Sequence, residues 1–411
     1  MIRMQANFNE ILKSQAIQYV IGNDRIVCDM RNVKPMQPFS DRVVSFLNDL
    51  SKLLLKTGKA YSDVVTFAFW CRKAAVLTEK VKYDDLSERI GKGVVFHSTP
   101  SNVPVNFAFS FATGFLAGNA NIVRLPAKQF AQVSVICTAI AELLQKEYSD
   151  LQPYIAMVKY GMVQEVSDCF SSVCDTRVVW GGDNTVMGMR MSPLKPRANE
   201  ITFADRHSLA VIDIDAYDRA ENKTALAQAF YNDTYFSDQN ACTSPRLIVW
   251  YAKNYDAEKA ERVKNGFWSE LHALVKEQYT MAPVQAVGKL AALYKVACRH
   301  NVRKVGDYTD NYITRVRLNG VDETIMSYKY NSGFFFELDT SDLRDILPCC
   351  MEACQTLSYY GLDIRYLHDI IMDMAPRGID RIVPIGKTMD FTLIWDGHDL
   401  IREMSRRINC I

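Results

Sequence analysis

Cys242 carries the strongest chemical signal in the chain. It lies in DQNACTSPRLIVW, residues 238–250, where small and polar residues run straight into the apolar, strand-like LIVW. That order sets one thiol at the mouth of a sheet, where a thiolate can attack a carbonyl held against it. The competing reading is a buried structural cysteine, because free cysteine usually packs as a small hydrophobe. His207 offers either an acid/base group that assists thiol release or a satisfied structural imidazole. His97, on the strand ahead of Pro100, reads as structural. Cys349, Cys350 and Cys354 share the helical pattern LPCCMEACQTL and read as core packing.

Phosphate-binding signals are weak in isolation. No GxGxxG occurs, and Gly91 and Gly93 flank Lys92 without completing a pattern. Gly181 and Gly182 follow TRVVW and precede a helix start at Asp183 or Asn184. They either make a simple turn or let a pyrophosphate approach the backbone at a helix N-terminus.

The elements that must position these residues alternate. Residues 40–90 are predicted helical, beginning with SDRVVSFLNDLSKLLLK. GVVFHS (93–98), ANIVRLPA (120–127) and TRVVWGG (176–182) read as strands. The apolar run 105–118 and the amphipathic run 129–148 read as helices between them. This strand–helix order predicts a parallel sheet with crossover helices. LAVIDID (209–215) and LIVW (247–250) open a second α/β unit, and GFFFELD (333–339) and RIVPIG (381–386) supply later strands. FTLIWDG (391–397) reads as an extended edge or arm.

Composition bounds the function. A chain of 411 residues, 48% of them hydrophobic, suggests two domains with ample core. Its 48 Lys plus Arg balance 47 Asp plus Glu, which gives no electrostatic case for nucleic acid or an anionic membrane. The 11 cysteines form no CxxC pair and no zinc-spaced cluster. An odd count behind a start without an apolar core fits a reducing cytoplasm. The apolar run 103–118 is shorter than the ~20 residues a spanning helix needs, so no membrane span is expected.

Residues 93–127 resemble the core of the aldehyde dehydrogenase superfamily. The resemblance rests on Pro100, Asn102, Pro104, Gly118, Asn119, Arg124 and Pro126. WGGDNTVMG (180–188) is similar to the glycine turn under that family's cofactor, and DQNACTSPR to its nucleophile loop, with Gln239 and Cys242 in place. RGIDRIVPIGKTMDFTLIWDGHDLIREMSRRI (377–408) is similar to the end of LuxC-type long-chain acyl-CoA reductases, the fatty acid reductases of bioluminescence operons.

The resemblance implies an α/β fold of aldehyde dehydrogenase type. It has a Rossmann-type NADP-binding domain over 1–203 and a catalytic domain over 204–385. Residues 386–411 form a C-terminal oligomerisation segment that returns to the cofactor domain or to a neighbouring subunit. It makes Cys242 the acyl-accepting nucleophile, with Asn102 and the Cys242 amide holding the oxyanion, and places Pro100, Arg124, Gly181 and Gly182 at the cofactor. Oxidising relatives carry a glutamate that activates water; here Phe203 stands about there, with Glu200 nearby. Losing that base suits reduction of an acyl-enzyme. Arg124 replaces the family's ribose-binding lysine, and its planar fork suits a 2′-phosphate, favouring NADPH over NADH. The implied substrate is fatty acyl-CoA or an acylated partner synthetase, and a homo-oligomer is expected. The alternatives are a CoA-acylating dehydrogenase of short aldehydes and a non-catalytic scaffold for an acyl-protein synthetase.

Overall fold

Short runs of β-branched and aromatic residues form the central strands, which are buried along almost their whole length. In the computed structural model, which describes residues 8–101, 103–300, 302–305 and 310–410, the chain divides into two units. One takes Met1–Ala204 with Phe391–Ile411, the other Asp205–Asp390.

The first unit holds strands β1 (Gln18–Ile21), β2 (Arg89–Gly91), β3 (Val94–Ser98), β4 (Ala120–Arg124), β5 (Ile155–Lys159), β6 (Thr176–Trp180) and β7 (Asn199–Phe203). Six of these form a sheet in the order β1-β5-β4-β3-β6-β7, parallel except for β1. The chain winds outward through β3, β4 and β5, then returns to place β6 on the other side of β3. That reversal opens a crevice beyond the carboxyl ends of β3 and β6. The helix Asn106–Leu116 crosses from β3 to β4 and is buried on nearly every side, as its mostly apolar sequence requires.

A buried polar relay ties that helix to the sheet. Trp180 Nε1 donates to Ser110 Oγ at 2.9 Å, Ser110 lies 2.7 Å from His97 Nδ1, and His97 Nε2 lies 3.0 Å from Asn121 Oδ1. Asn121 in turn donates to the Asn119 carbonyl at 2.7 Å. A consistent set of donors makes His97 neutral with its proton on Nε2. Burial drives its pKa down to about 4, in the same sense. Gly114 makes room for this: a Cβ there would stand 2.3 Å from Asn121 Oδ1.

The second unit is a seven-stranded sheet built from β8 (His207–Asp213), β9 (Pro245–Tyr251), β10 (Val302–Val305), β11 (Thr314–Leu318), β12 (Phe334–Thr340), β13 (Cys354–Tyr360) and β14 (Arg381–Pro384). Its order is β10-β11-β12-β9-β8-β13-β14, parallel except for β10. Glu337, inside β12, is buried and accepts from Arg315 and from the indoles of Trp250 and Trp268, which compensates its charge.

The tail adds a hairpin of β15 (Ile394–Trp395) and β16 (His398–Asp399), then β17 (Ser405–Arg407), which pairs antiparallel with β2. Phe391 packs on Trp70, Phe109 and Trp180, and Leu393, Leu400, Ile401 and Met404 enter the first unit's core. The chain changes unit at Phe391 rather than at 386. Residues just before it stay tied to the second unit, where Gly386 and Thr388 amides donate to Asp233 and Arg381 donates to the Thr388 and Asp390 carbonyls.

Several sequence expectations change. Residues 40–90 are three helices, Asp41–Thr57, Ser62–Trp70 and Lys73–Lys80, followed by β2. Gly58 ends the first, and a Cβ on it would stand 2.5 Å from Val64 Cγ1. The strand expected over 120–127 ends at Arg124, before Pro126, which has no N–H for the ladder. LPCCMEACQTL is not a helix. A 3-10 turn closes at Cys349, and Cys354 opens β13. A strand buried on both faces reads as a continuous apolar run that short-range periodicity does not separate from helix. FTLIWDG contributes two residues to a hairpin rather than an extended arm. Among the described residues no helix is long and apolar enough to cross a membrane.

Leu393 is 1% exposed in the first unit's core. Leu393→Ala is expected to lower that unit's stability by about 2–5 kcal/mol, the cost of a buried leucine cavity. Urea unfolding followed by tryptophan fluorescence reads this as an earlier transition.

Candidate active site

Cys242 sits on the turn immediately ahead of β9, at the amino-terminal edge of the second sheet, and is partly exposed. The loop that carries it leaves the helix Lys223–Asp233 and passes through two left-handed residues, Asp238 (φ 52°) and Gln239 (φ 51°). Non-glycine residues there cost about 1–3 kcal/mol each and persist only where their surroundings hold them.

Those surroundings are specific. The Asp238 carboxylate accepts from the Tyr279 hydroxyl and, at 3.0 Å, from the Gln285 amide. Gln239 is fully buried. Its Oε1 accepts from the Gly333 amide at 2.7 Å and the Phe334 amide at 3.2 Å. Arg246, the second residue of β9, donates to the Gln239 carbonyl at 2.5 Å, the Tyr330 carbonyl at 2.8 Å and Asn331 Oδ1 at 2.7 Å. Asn331 closes the circuit by donating to Asn240 Oδ1 at 2.7 Å. Lys289 supports the same segment from beneath, donating to the Ser332 carbonyl at 2.8 Å and to that of Asn311. Burial lowers its pKa to about 8. Gly333 (φ 80°) is required here, since a Cβ would meet the Tyr235 hydroxyl at 2.2 Å. On the other side, Ser208 Oγ donates to the Cys242 carbonyl at 2.7 Å and accepts from the Thr356 amide at 3.2 Å. The thiol's loop is thus braced from β8, β12 and β13.

The other cysteines differ. Cys71, Cys137, Cys169, Cys174, Cys349, Cys350 and Cys354 are buried, and Cys28, Cys298 and Cys410 lie on the surface. Burial pushes Cys137, Cys169 and Cys174 up to about 12, far from a reactive thiolate. Neighbouring thiols and burial push Cys350 higher still. His207 is the first residue of β8 and is buried, with Nε2 3.4 Å from the Cys349 carbonyl. Desolvation, then the charge of Lys329, lowers its pKa to about 4, so the imidazole is neutral at pH 7.

In the first unit, Pro100, Arg124, Gly181 and Gly182 gather at the carboxyl edge of the sheet. Pro100 lies just beyond β3, and Thr99 Oγ1 donates to the Arg124 carbonyl at 2.6 Å. The Arg124 guanidinium lies over the Tyr160 ring at 4.3 Å and donates to the Gly161 carbonyl at 3.0 Å. Gly181 and Gly182 join β6 to the helix Asp183–Arg190, with Gly182 as its N-cap. Asn102 lies outside the described residues. Phe203 ends β7, 5% exposed and stacked on Trp180 with centroids 3.6 Å apart. Glu200 is committed elsewhere, accepting from Arg177 Nε at 2.7 Å and Arg190 Nε at 2.8 Å.

The two sheets, with a partly exposed thiol ahead of β9, define the aldehyde dehydrogenase fold. The chain covers 96% of itself and 94% of an NAD-dependent benzaldehyde dehydrogenase from Corynebacterium glutamicum, at a TM-score of 0.60 and 15% identity. An oxidoreductase from Marinobacter aquaeolei superposes at 0.65 with 10% identity, over 93% of this chain and 89% of that one. Within that fold the chain belongs to the acyl-CoA reductase (LuxC) family, whose model matches residues 29–295. It is 21% identical over 326 residues to a long-chain acyl-protein thioester reductase of Vibrio harveyi, a match spanning 78% of this chain and 64% of that protein.

Sequence reasoning missed Arg246 and Lys289. The signal for Arg246 was available: an arginine at the second position of a strand that is otherwise apolar. Lys289 had no comparable signal, because a lysine on a helix ordinarily reads as solvated. Gln239→Ala leaves the Gly333 and Phe334 amides without their buried acceptor. It is expected to cost about 2–4 kcal/mol, from about 1–3 kcal/mol per unsatisfied buried group. Urea unfolding of the variant against the wild type measures this.

Proposed function

We propose that the protein reduces a fatty acyl thioester to an aldehyde with NADPH, through an acyl group carried on Cys242. The observation that carries the proposal is the thiol's setting: partly exposed, ahead of β9, on a loop held in a costly conformation by buried hydrogen bonds. Membership of the acyl-CoA reductase family supports the direction of the reaction, and the relative from Vibrio harveyi supports a long-chain acyl group. The donor is acyl-CoA or an acylated synthetase, and the protein works in the cytoplasm as a homo-oligomer.

The first unit's carboxyl edge has groups that fit a dinucleotide. It offers a crevice at a strand reversal, a glycine pair leading into a helix N-terminus and a guanidinium beside the crevice. Pro100, Arg124, Gly181 and Gly182 would hold it, with the first unit as cofactor domain and the second as catalytic domain. When bound, a reduced nicotinamide supplies hydride.

The chain's own residues do the rest. The Cys242 thiolate attacks the thioester carbonyl and expels the donor's thiolate. The Cys242 amide and the Asn102 side chain hold the negative oxygen that forms. Phe203, buried against Trp180, leaves no carboxylate at the sequence position where oxidising relatives activate water, so the acyl group persists for reduction. Collapse of the thiohemiacetal releases the aldehyde and restores the thiol.

A panel of acyl-CoAs of increasing length, with NADPH oxidation and aldehyde both measured, tests the reading. Turnover is expected with long chains. Oxidation of short aldehydes with CoA in place of this would overturn it. Cys242→Ala is expected to abolish turnover while NADPH binds within about twofold of wild type. Asn102→Ala is expected to lower turnover about a hundredfold, the usual cost of one oxyanion donor. Arg124→Ala is expected to weaken NADPH far more than NADH, because a charge-assisted hydrogen bond to a 2′-phosphate contributes about 1.5–3 kcal/mol. Both affinities are measured at one salt concentration. Equal losses for the two cofactors would remove the 2′-phosphate contact.

A further inference from the structure

Arg246 is a buried cation whose hydrogen bonds all go to neutral acceptors. It is 6% exposed, and its partners are two backbone carbonyls and an asparagine oxygen. Its Nε has no hydrogen-bond partner among the described residues. A buried guanidinium without a carboxylate bonded to it projects its field outward. Its bond to the Gln239 carbonyl seats it on the loop that carries Cys242, and both the Cys242 thiol and the Asp238 carboxylate stabilise its charge. Burial lowers its own pKa only to about 10, so it stays charged throughout the physiological range.

We propose that Arg246 is a positioning residue that holds the Cys242 loop against the Tyr330–Phe334 segment and, through its buried charge, favours the thiolate of Cys242. The proposal rests on Cys242 being the acyl acceptor. It accounts for two features of the edge at once. The fork spans the carbonyl of Gln239 and the Tyr330–Asn331 turn, which fixes where the thiol stands. Burial first, and then the charges of Lys329, Arg246 and Arg206, lower the His207 pKa, so cationic groups lie close to this edge.

The other charged groups facing the loop are already engaged. Asp238, whose charge Arg246 feels, is held by Tyr279 and Gln285. Arg206 pairs with Asp380 at 2.5 Å, and Lys329 donates to the Arg206 carbonyl at 3.3 Å. Lys289 is committed to the Ser332 and Asn311 carbonyls. Asp233, pushed up to about 6 by burial, binds the Gly386 and Thr388 amides. A proton leaving Cys242 goes to solvent, which its partial exposure allows.

The test is the pH dependence of alkylation by iodoacetamide, read residue by residue by mass spectrometry. In the wild type, Cys242 is expected to reach half its limiting rate about one pH unit or more below the exposed Cys28, Cys298 and Cys410. Coincident midpoints would overturn the proposal, whatever the variants do. Arg246→Gln is expected to move the Cys242 midpoint up by about one unit while its limiting rate at high pH stays within threefold. Arg246→Lys, which keeps the charge and loses the fork, is expected to restore the midpoint but not full turnover. A folded Arg246→Gln protein with an unmoved midpoint would overturn the proposal. Should Arg246→Gln not fold, the wild-type comparison and Arg246→Lys decide. Incubating the wild type with decanoyl-CoA separates this from failure of the functional reading. Without acylation of Cys242 the nucleophile assignment falls, whereas acylation with ordinary midpoints removes Arg246 alone.

Discussion

The buried grip of Gln239 and Arg246 on the Tyr330–Phe334 segment is the interaction on which the candidate site depends. A nucleophile misplaced by an ångström loses about a hundredfold in rate, so the loop that carries it must be fixed. Here fixing means holding two left-handed non-glycine residues in place. The means are side chains of low exposure whose hydrogen bonds would be lost if the loop moved: a fully buried amide, a buried guanidinium and, below them, a buried amine. Arg246 and Phe334 sit at the starts of β9 and β12, so the rigidity of the sheet is passed to the loop that carries the thiol.

The first unit solves a different problem. On the proposed reading its carboxyl edge accepts and releases a dinucleotide, and what the edge offers is glycines, a turn and a partly exposed guanidinium rather than a locked loop. Arg124 is preorganised by the Tyr160 ring and the Gly161 carbonyl, yet remains partly open to solvent. Beneath that edge, the Trp180–Ser110–His97–Asn121 relay holds β3, β4, β6 and their crossover helix in register. The tail completes this unit. Phe391 and Leu393 fill its core, and β17 pairs with β2.

Much of the fold was legible because strands such as VVFHS and TRVVW are apolar runs too short for helices, separated by amphipathic segments. The partly exposed placement of Cys242 ahead of a strand was legible because a polar loop met an apolar run. What failed to show has physical reasons. The segment from Cys354 looked helical because strands buried on both faces lack alternation, and the 3-10 turn ending at Cys349 extended that pattern ahead of it. Helices between 40 and 90 merged because Gly58 marks only the first of two breaks, and the second, at Cys71 and Arg72, carries neither glycine nor proline. Arg246 and Lys289 stayed hidden because their meaning lies in burial, which charge alone does not reveal. Phe203 was visible as a departure from a pattern, but its stacking on Trp180 depends on two adjacent strands that the sequence does not register.

The central claim is that one thiol of the eleven carries the acyl group, because one loop is built to present it. The direct measurement is mass-spectrometric mapping of protein quenched after mixing with a long-chain acyl-CoA, with reduced cofactor withheld. The account requires one acyl group per chain, on the peptide containing Cys242, lost on treatment with hydroxylamine. An acyl group on any other cysteine, or none at all, would contradict it.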